Sequence, residues 1–282
     1  MIDKILRSIE HIPSFPQTIL KVSEILRDED YSVNELVDMI KYDQAMAANI
    51  LKMSNAAYFG ARQKISTVRD AVVYLGQTNL IRVVQTAGIS RFFTNGGARG
   101  YAAKVSELWE HSIGVAIMSQ ILSRKVAQGE DERLYLAALL HDVGKMVMGE
   151  YVYESFDKIM SLVDNAGYSF LEAEEEVIGI NHAELGGKIA AYWNFPDEIA
   201  RALSYHHRPD LLEKKNDKTA WLVYLADQIC LIMGITGGMD ELAHRGVKEV
   251  MELFDFHERD LEMGMMQLEE DLRHAKDLIS IV

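Results

Sequence analysis

Apolar residues recur at intervals of three and four along most of the chain, the spacing of helices that bury one face. In "FPQTILKVSEILRDED" the positions Ile19, Val22, Ile25 and Leu26 fall on one such face. "SVNELVDMIKYD" opens with Ser32 and Glu35 at capping-box spacing. "TVRDAVVYLG" and "QTNLIRVVQTAGISRFF" predict two further helices, with Gly76 as the stop between them. The glycines and polar residues of "TNGGARG", residues 94–100, predict a linker or a sharp turn. A helical pattern then runs from about Tyr101 to Gln128 and ends at "GEDE".

The second half repeats these signals. "YLAALLHDVGKMVMGEY", residues 135–151, is apolar at both ends and holds His141 and Asp142 in its middle. Ser169 with Glu172, and Asn181 with Glu184, have the spacing of capped helix starts. Pro196 suits a first helical position, followed by Asp197 and Glu198 in the first turn. "TAWLVYLADQICLIMG" is mostly apolar with a single acid, Asp227. From about Glu258 to Ile281 an amphipathic helix is predicted, with Leu261, Met265, Leu268, Leu272 and Leu278 on one side. It either packs back on its own core, the favoured role, or serves as a docking or dimer helix. Strand patterns are few, no hairpin is convincing, and no solenoid period is evident. The fold class expected is all-α, in two helical subdomains, 1–98 and 99–282.

Composition sharpens the picture. In 282 residues, 49% are hydrophobic, enough for a substantial core. The net charge of −14 repels phosphate backbones and argues against general nucleic-acid binding. A small phosphorylated molecule would need locally positive surroundings. The single cysteine, Cys230, allows no intrachain disulfide and fits a reducing compartment. Charges interrupt "MIDKILRSIEHIP", so no signal peptide is read there, and no run of about 18 uncharged apolar residues occurs. A cytoplasmic protein without membrane contact is expected.

Of nine histidines, His11, His244, His257 and His274 lie in polar or amphipathic contexts and read as ordinary surface or partly buried residues. The others are His111, His141, His182, His206 and His207. Together with Asp142 and Asp227 they come from five predicted helices, each otherwise rich in apolar residues. An ionised aspartate in such surroundings costs several kcal/mol unless compensated. Imidazole and carboxylate together suit divalent metal ions such as zinc, iron or manganese. One bridging carboxylate can hold two ions at the roughly 3.5–4 Å that two-metal hydrolytic sites need. The alternative is a buried polar network without metal, for which nearby basic residues are few.

The order His, His-Asp, His, His-His, Asp resembles the HD superfamily of metal-dependent phosphohydrolases, and "HDVGK" is close to its His-Asp-x-Gly-Lys segment. "NHAELG" with the His-His pair resembles the dinuclear HD-GYP phosphodiesterases. Upstream, "IPSFPQTILKVSEILRDEDYSVNELVDMIKYDQAMAANILKMSNAAYFG" and "ISTVRDAVVYLGQTNL" resemble the N-terminal part of the HDOD domain. The resemblance spans about residues 5 to 235 and implies an HD-superfamily helical bundle preceded by an HDOD-type helical subdomain. Many HDOD proteins have lost metal ligands, whereas this chain keeps all seven. Gln44 departs from the pattern, which usually has proline after the aspartate.

The resemblance implies that His111, His141, Asp142 and Asp227 hold one metal. Asp142 would bridge to a second, held by His182, His206 and His207. The cofactors implied are two divalent transition-metal ions, iron ahead of manganese, zinc and nickel. Asp142 and Lys145 are the catalytic candidates, with Lys145 directed at a substrate phosphate. The alternative for Lys145 is a solvated residue at a helix end. Glu107, four residues before His111, either orients that histidine, touches a metal, or is a surface residue. The Gly-Tyr-Pro segment linked to cyclic di-GMP hydrolysis is absent after the His-His pair, where the chain reads "HHRPDLLEKKND". Arg208 is a phosphate contact or, more simply, an exposed loop residue.

Two readings of function stand. The first is a signalling or scaffold module that binds a protein partner, with structural or sensory metals. No attached receiver or output domain is read in these residues, so the partner is expected to dock non-covalently. The second is a metal-dependent phosphohydrolase or phosphodiesterase acting on a phosphorylated small molecule. An iron- or oxygen-sensing diiron protein needs the same ligands. A homodimer through the tail also stays open.

Overall fold

The computed structural model describes residues 1–26, 28, 30–95, 99–101, 104–127, 131–212, 217–238, 247–275 and 280, without the side chains of residues 91, 94, 95 and 99. Among the described residues the regular structure is helical and contains no strand. His244, Gln128 and Leu278 lie outside the described residues, as do parts of the 94–100, 129–132 and 206–217 segments. Among the described residues no helix is long and apolar enough to cross a membrane. The chain divides into two compact units, Met1–Pro13 with Phe92–Leu268, and Ser14–Arg91 with Glu269–Val282.

In the smaller unit, α2 (Gln17–Ile25), α3 (Val33–Tyr42) and α4 (Gln44–Ser54) follow one another, each packed on the next. Ile19, Val22 and Leu26 are buried as the periodicity requires. The Ser32 hydroxyl accepts from the Glu35 amide, and the Asp43 carboxylate caps α4 by accepting from the Met46 amide at 3.0 Å. Gln44 is the first residue of α4. Proline is common at that position because its missing N–H would have no partner there. Glutamine starts the helix equally well behind an Asp43 cap. Asn55 closes the loop after α4, donating to the carbonyls of Leu51 and Ile65 and accepting from the Ile65 amide. The long helical segment α5 (Val68–Asn95), which lies in this unit as far as Arg91, breaks at Gly76, whose φ of 66° is left-handed.

The larger unit contains α1 (Ile2–Ile9), α6 (Val105–Ala127), α7 (Glu132–Leu140), α8 (Val143–Ala166), α9 (Phe170–Ile178), α10 (His182–Tyr192), α11 (Asp197–Tyr205), α12 (Lys218–Ile232), α13 (Val247–Phe254) and most of α14 (Glu258–His274). The α6 helix packs on α7 and α12, α10 on α8 and α11, and α11 also on α7 and α12. Buried side chains such as Trp109, Leu139, Leu140, Val223 and Tyr224 fill the space between. Ser169 and Glu172 form a full reciprocal capping box, and the Asn181 side chain accepts from the Glu184 amide at 2.8 Å. Pro196 is the N-cap of α11, one place earlier than its sequence position suggested, with Asp197 and Glu198 in the first turn. The helix expected from about Tyr101 begins at Val105, because Arg99–Tyr101 forms a separate 3-10 turn. On α14, Leu268 is buried while Leu261, Met265 and Leu272 are half-buried.

Candidate metal centre

The His141-Asp142 pair is a junction. α7 ends at Leu140 and α8 begins at Val143, so His141 is the C-cap of one helix and Asp142 the N-cap of the next. The Asp142 side chain makes no capping hydrogen bond, which leaves its carboxylate to face the interior. Helix ends supply three more donors. His182 is the first residue of α10, His206 is the C-cap of α11, and His207 follows it. A helix C-terminus carries partial negative charge, so His141 and His206 sit where a cation is favoured. His111 and Asp227 project from within α6 and α12. Gly144 allows the assembly to close, since a Cβ there would collide with the carbonyl of His182. That is the physical reason for glycine in "HDVGK".

All seven residues come together. His111, His141, Asp142, His182, His206 and Asp227 are buried, and His207 is partly exposed. Asp142 lies between two groups of donors. One holds His111, His141 and Asp142; the other holds Asp142, His182, His206 and His207. On the first side Asp142 Oδ2 is 3.4 Å from His141 Nε2 and 3.8 Å from His111 Nε2. Asp227 Oδ1 flanks that side, 3.1 Å from His111 Nε2 and 3.9 Å from His141 Nε2. On the second side Asp142 Oδ1 is 3.5 Å from His182 Nε2 and 3.6 Å from His206 Nε2. Buried groups of this kind can hold metal.

The outer hydrogen bonds fix which ring nitrogen faces inward. His111 Nδ1 lies 2.8 Å from the Ile235 carbonyl, His141 Nδ1 2.7 Å from that of Ala138, and His206 Nδ1 2.7 Å from that of Leu203. A carbonyl oxygen only accepts, so each Nδ1 carries a hydrogen and each Nε2 faces inward, presenting a lone pair when the ring is neutral. The Nε2 atoms of His111 and His141 stand 3.2 Å apart, and those of His182 and His207 stand 2.9 Å apart. The Nε2 atoms of His111 and His141, both with the Nδ1 hydrogen held outward, call for positive charge between them, from a proton or a metal ion. Among the described residues, nothing hydrogen-bonds the buried atoms Asp142 Oδ1 and His206 Nε2. These two donors, 3.6 Å apart on the second side of Asp142, fit a metal ion.

Lys145 is buried, so it is not the solvated helix-end residue that one sequence reading allowed. Its ammonium lies 2.7 Å from Asp142 Oδ2 and over the ring of Tyr101. Burial opposes ionisation of Asp142, but Lys145 and His141 hold its carboxyl well below the usual range. Burial likewise opposes ionisation of Asp227, whose carboxyl is lowered by the hydrogen bond and charge of His111 when that ring is protonated. His206 and His207 are pushed down by burial, His207 further by its histidine neighbours. His182 goes the other way: Glu174 outweighs burial and raises it.

Glu107 is exposed at the start of α6, where its carboxylate accepts from the Lys104 amide. The Ile235 carbonyl, not Glu107, takes the His111 Nδ1 hydrogen. Arg208 pairs with Asp210 and is 41% exposed, a surface loop contact. Two residues that sequence reasoning missed stand behind the cluster. Glu174 Oε2 accepts from both the backbone amide and Nδ1 of His182, at 3.0 and 2.7 Å, and the Tyr101 hydroxyl donates to Glu174 Oε1 at 2.5 Å. Glu174 sits in the acidic run "EAEEE", which reads as a solvated helix face.

The family model of the HDOD domain matches residues 12–209. The crystal structure of an HDOD domain protein of unknown function from Geobacter sulfurreducens superposes with a TM-score of 0.80 at 25% identity, covering 99% of this chain and 98% of that one. A proposed phosphohydrolase from Shewanella amazonensis SB2B has the same fold, with a TM-score of 0.72, 21% identity and 97% coverage of each chain. An uncharacterized protein of Treponema pallidum (strain Nichols) is 22% identical over 202 residues, 71% of this chain. The chain spans 38% of the length of that curated relative.

Proposed function

The chain belongs to the HDOD family, and from that premise we propose a cytoplasmic regulatory protein whose buried cluster holds two divalent metal ions, bridged by Asp142. The observation that carries the metal reading is the pair of bare buried atoms, Asp142 Oδ1 and His206 Nε2, among inward-facing imidazoles. His111, His141, Asp142 and Asp227 would hold one ion, and His182, His206 and His207 would share Asp142 with the other. Five imidazoles and two carboxylates accept iron, which we place first, and also manganese, zinc or nickel. The regulatory role is supported by the donor count and by Lys145. Structural sites tend to be coordinatively closed, whereas catalytic ones keep an open position. Here each ion would have four protein donors, counting the shared Asp142, and the Lys145 ammonium is engaged by Asp142. In this reading metal occupancy ties α6, α7, α8, α10, α11 and α12 together, and a protein partner reads the result.

A second reading, phosphoester hydrolysis, is favoured by the complete ligand set and by His207, where solvent reaches the cluster. Bound metal would supply Lewis acidity and an activated water. Lys145 would have to release Asp142 Oδ2 before meeting a phosphate oxygen, so substrate entry must open this pair. The missing Gly-Tyr-Pro segment leaves the phosphoester unspecified. Hydrogen exchange with and without manganese or iron, beside turnover of bis-p-nitrophenyl phosphate, decides between the readings. Metal-dependent protection of these six helices without turnover is the result expected. Turnover above a metal-only control, lost in Lys145→Ala, would overturn the regulatory reading in favour of the hydrolase.

A further inference from the structure

The imidazoles of the cluster do not all have the same kind of outer partner. His111, His141 and His206 each give the Nδ1 hydrogen to a neutral backbone carbonyl. His182 gives it to a carboxylate, that of Glu174. Glu174 is wholly buried, and its only described partners are Tyr101 and His182. Tyr101, also wholly buried, closes a loop of contacts. Its hydroxyl holds Glu174, its ring stands perpendicular to that of His182, and its face lies under the ammonium of Lys145, which pairs with Asp142. The carboxylate of Glu174 therefore acts on one half of the cluster through one ligand.

We propose that Glu174, held by Tyr101, is the positioning residue for His182, and that it makes the Asp142, His182, His206 and His207 half of the cluster selectively strong toward a divalent cation. The inference rests on the metal reading above. A buried carboxylate behind an imidazole fixes its tautomer and orientation and raises its basicity as a ligand. The two further bonds on Glu174, from the His182 amide and the Tyr101 hydroxyl, fix the carboxylate itself. With Nδ1–H locked outward, the His182 Nε2 lone pair has one direction left, toward Asp142 Oδ1 and His207. The other half has no equivalent carboxylate behind its histidines among the described residues. The two halves are thus unequal by construction.

The test is a cobalt(II) titration of the full chain, followed by visible absorption and by competition with a chelator. The wild type is compared with Glu174→Gln, Tyr101→Phe and, as a control, Glu107→Gln. Glutamine keeps an oxygen to accept the Nδ1 hydrogen but removes the charge. One of the two binding steps is expected to weaken about 10–100-fold in Glu174→Gln, the usual cost of losing such a partner, with the other step unchanged. Tyr101→Phe should weaken the same step by a smaller factor, and it decides the matter if Glu174→Gln does not fold. Glu107→Gln should match the wild type in both steps. Equal weakening of both steps would mean a merely structural role and overturn the inference, as would two unchanged steps in a folded Glu174→Gln. A wild type that takes up no cobalt would instead overturn the metal reading beneath it.

Discussion

Replacing Asp142 by alanine removes a carboxylate that serves the cluster twice, as the partner of Lys145 and as the group shared by its two halves. The first role can be isolated by working in chelator. The Asp142 and Lys145 side chains are each 1% exposed and meet at 2.7 Å. Removing one partner of a buried ion pair costs about 3–5 kcal/mol, because the remaining charge keeps its desolvation penalty. At about 2–4 °C per kcal/mol for a chain approaching this size, the melting temperature should fall by about 6–20 °C. Replacing both residues with apolar groups is often close to neutral. Asp142→Ala with Lys145→Met should therefore recover most of the loss. Thermal and denaturant unfolding of wild type, single and double variants in chelator checks this. A single variant that melts with the wild type, or a double variant no better than the single, would refute the account of Lys145 as the charge that compensates Asp142.

Gly144→Ala should destabilise the larger unit by about 1–3 kcal/mol and weaken metal uptake, since the added Cβ meets the His182 carbonyl; denaturant unfolding and chelator competition measure both. The metal-free protein should lose stability as the pH falls below about 6.5, the ordinary histidine value, toward the lower values of folded His206 and His207. In that window the unfolded chain binds more protons than the folded one, so acidification favours unfolding, and melting scans from pH 8 to 5 should show the decline. His182, raised rather than lowered, adds stability as the pH falls toward 6.5, so His182→Gln should remove that gain in the upper part of the scan, while His207→Gln should flatten the decline below 6.5. Glu107→Gln should change stability by no more than about 0.5 kcal/mol, as a surface substitution away from the cluster, in the same unfolding assay.

The helices were largely legible because their signals are local. Ser32, Ser169 and Asn181 cap the helices that their spacing announces, and the apolar spacing in α2 buries Ile19, Val22 and Leu26. Pro196 was misplaced by one residue because proline serves both at the first helical position and just before it. The histidines and aspartates could be gathered from their apolar surroundings and from the family resemblance, but how they are supported could not. Whether Lys145 points outward or back at Asp142 depends on which residues surround α8, and those come from α1, α9, α10 and the Arg99–Tyr101 turn. The i,i+4 spacing of Glu107 and His111 suggested a contact. The first turn of α6 instead turns Glu107 to solvent, where it accepts from the Lys104 amide. Glu174 was hidden for the converse reason: its neighbours Glu175 and Glu176 are exposed, and only tertiary packing singles out the one acid that is buried.

Element-resolved metal content of the purified full chain, beside Asp142→Ala prepared identically, tests the central claim most directly. The account predicts about two transition-metal ions per chain in the wild type, as a bridged two-metal site requires, and loss of both in the variant. A folded wild type that holds no metal after anaerobic reconstitution would contradict it, and the seven residues would then be a buried polar network held by protons and Lys145.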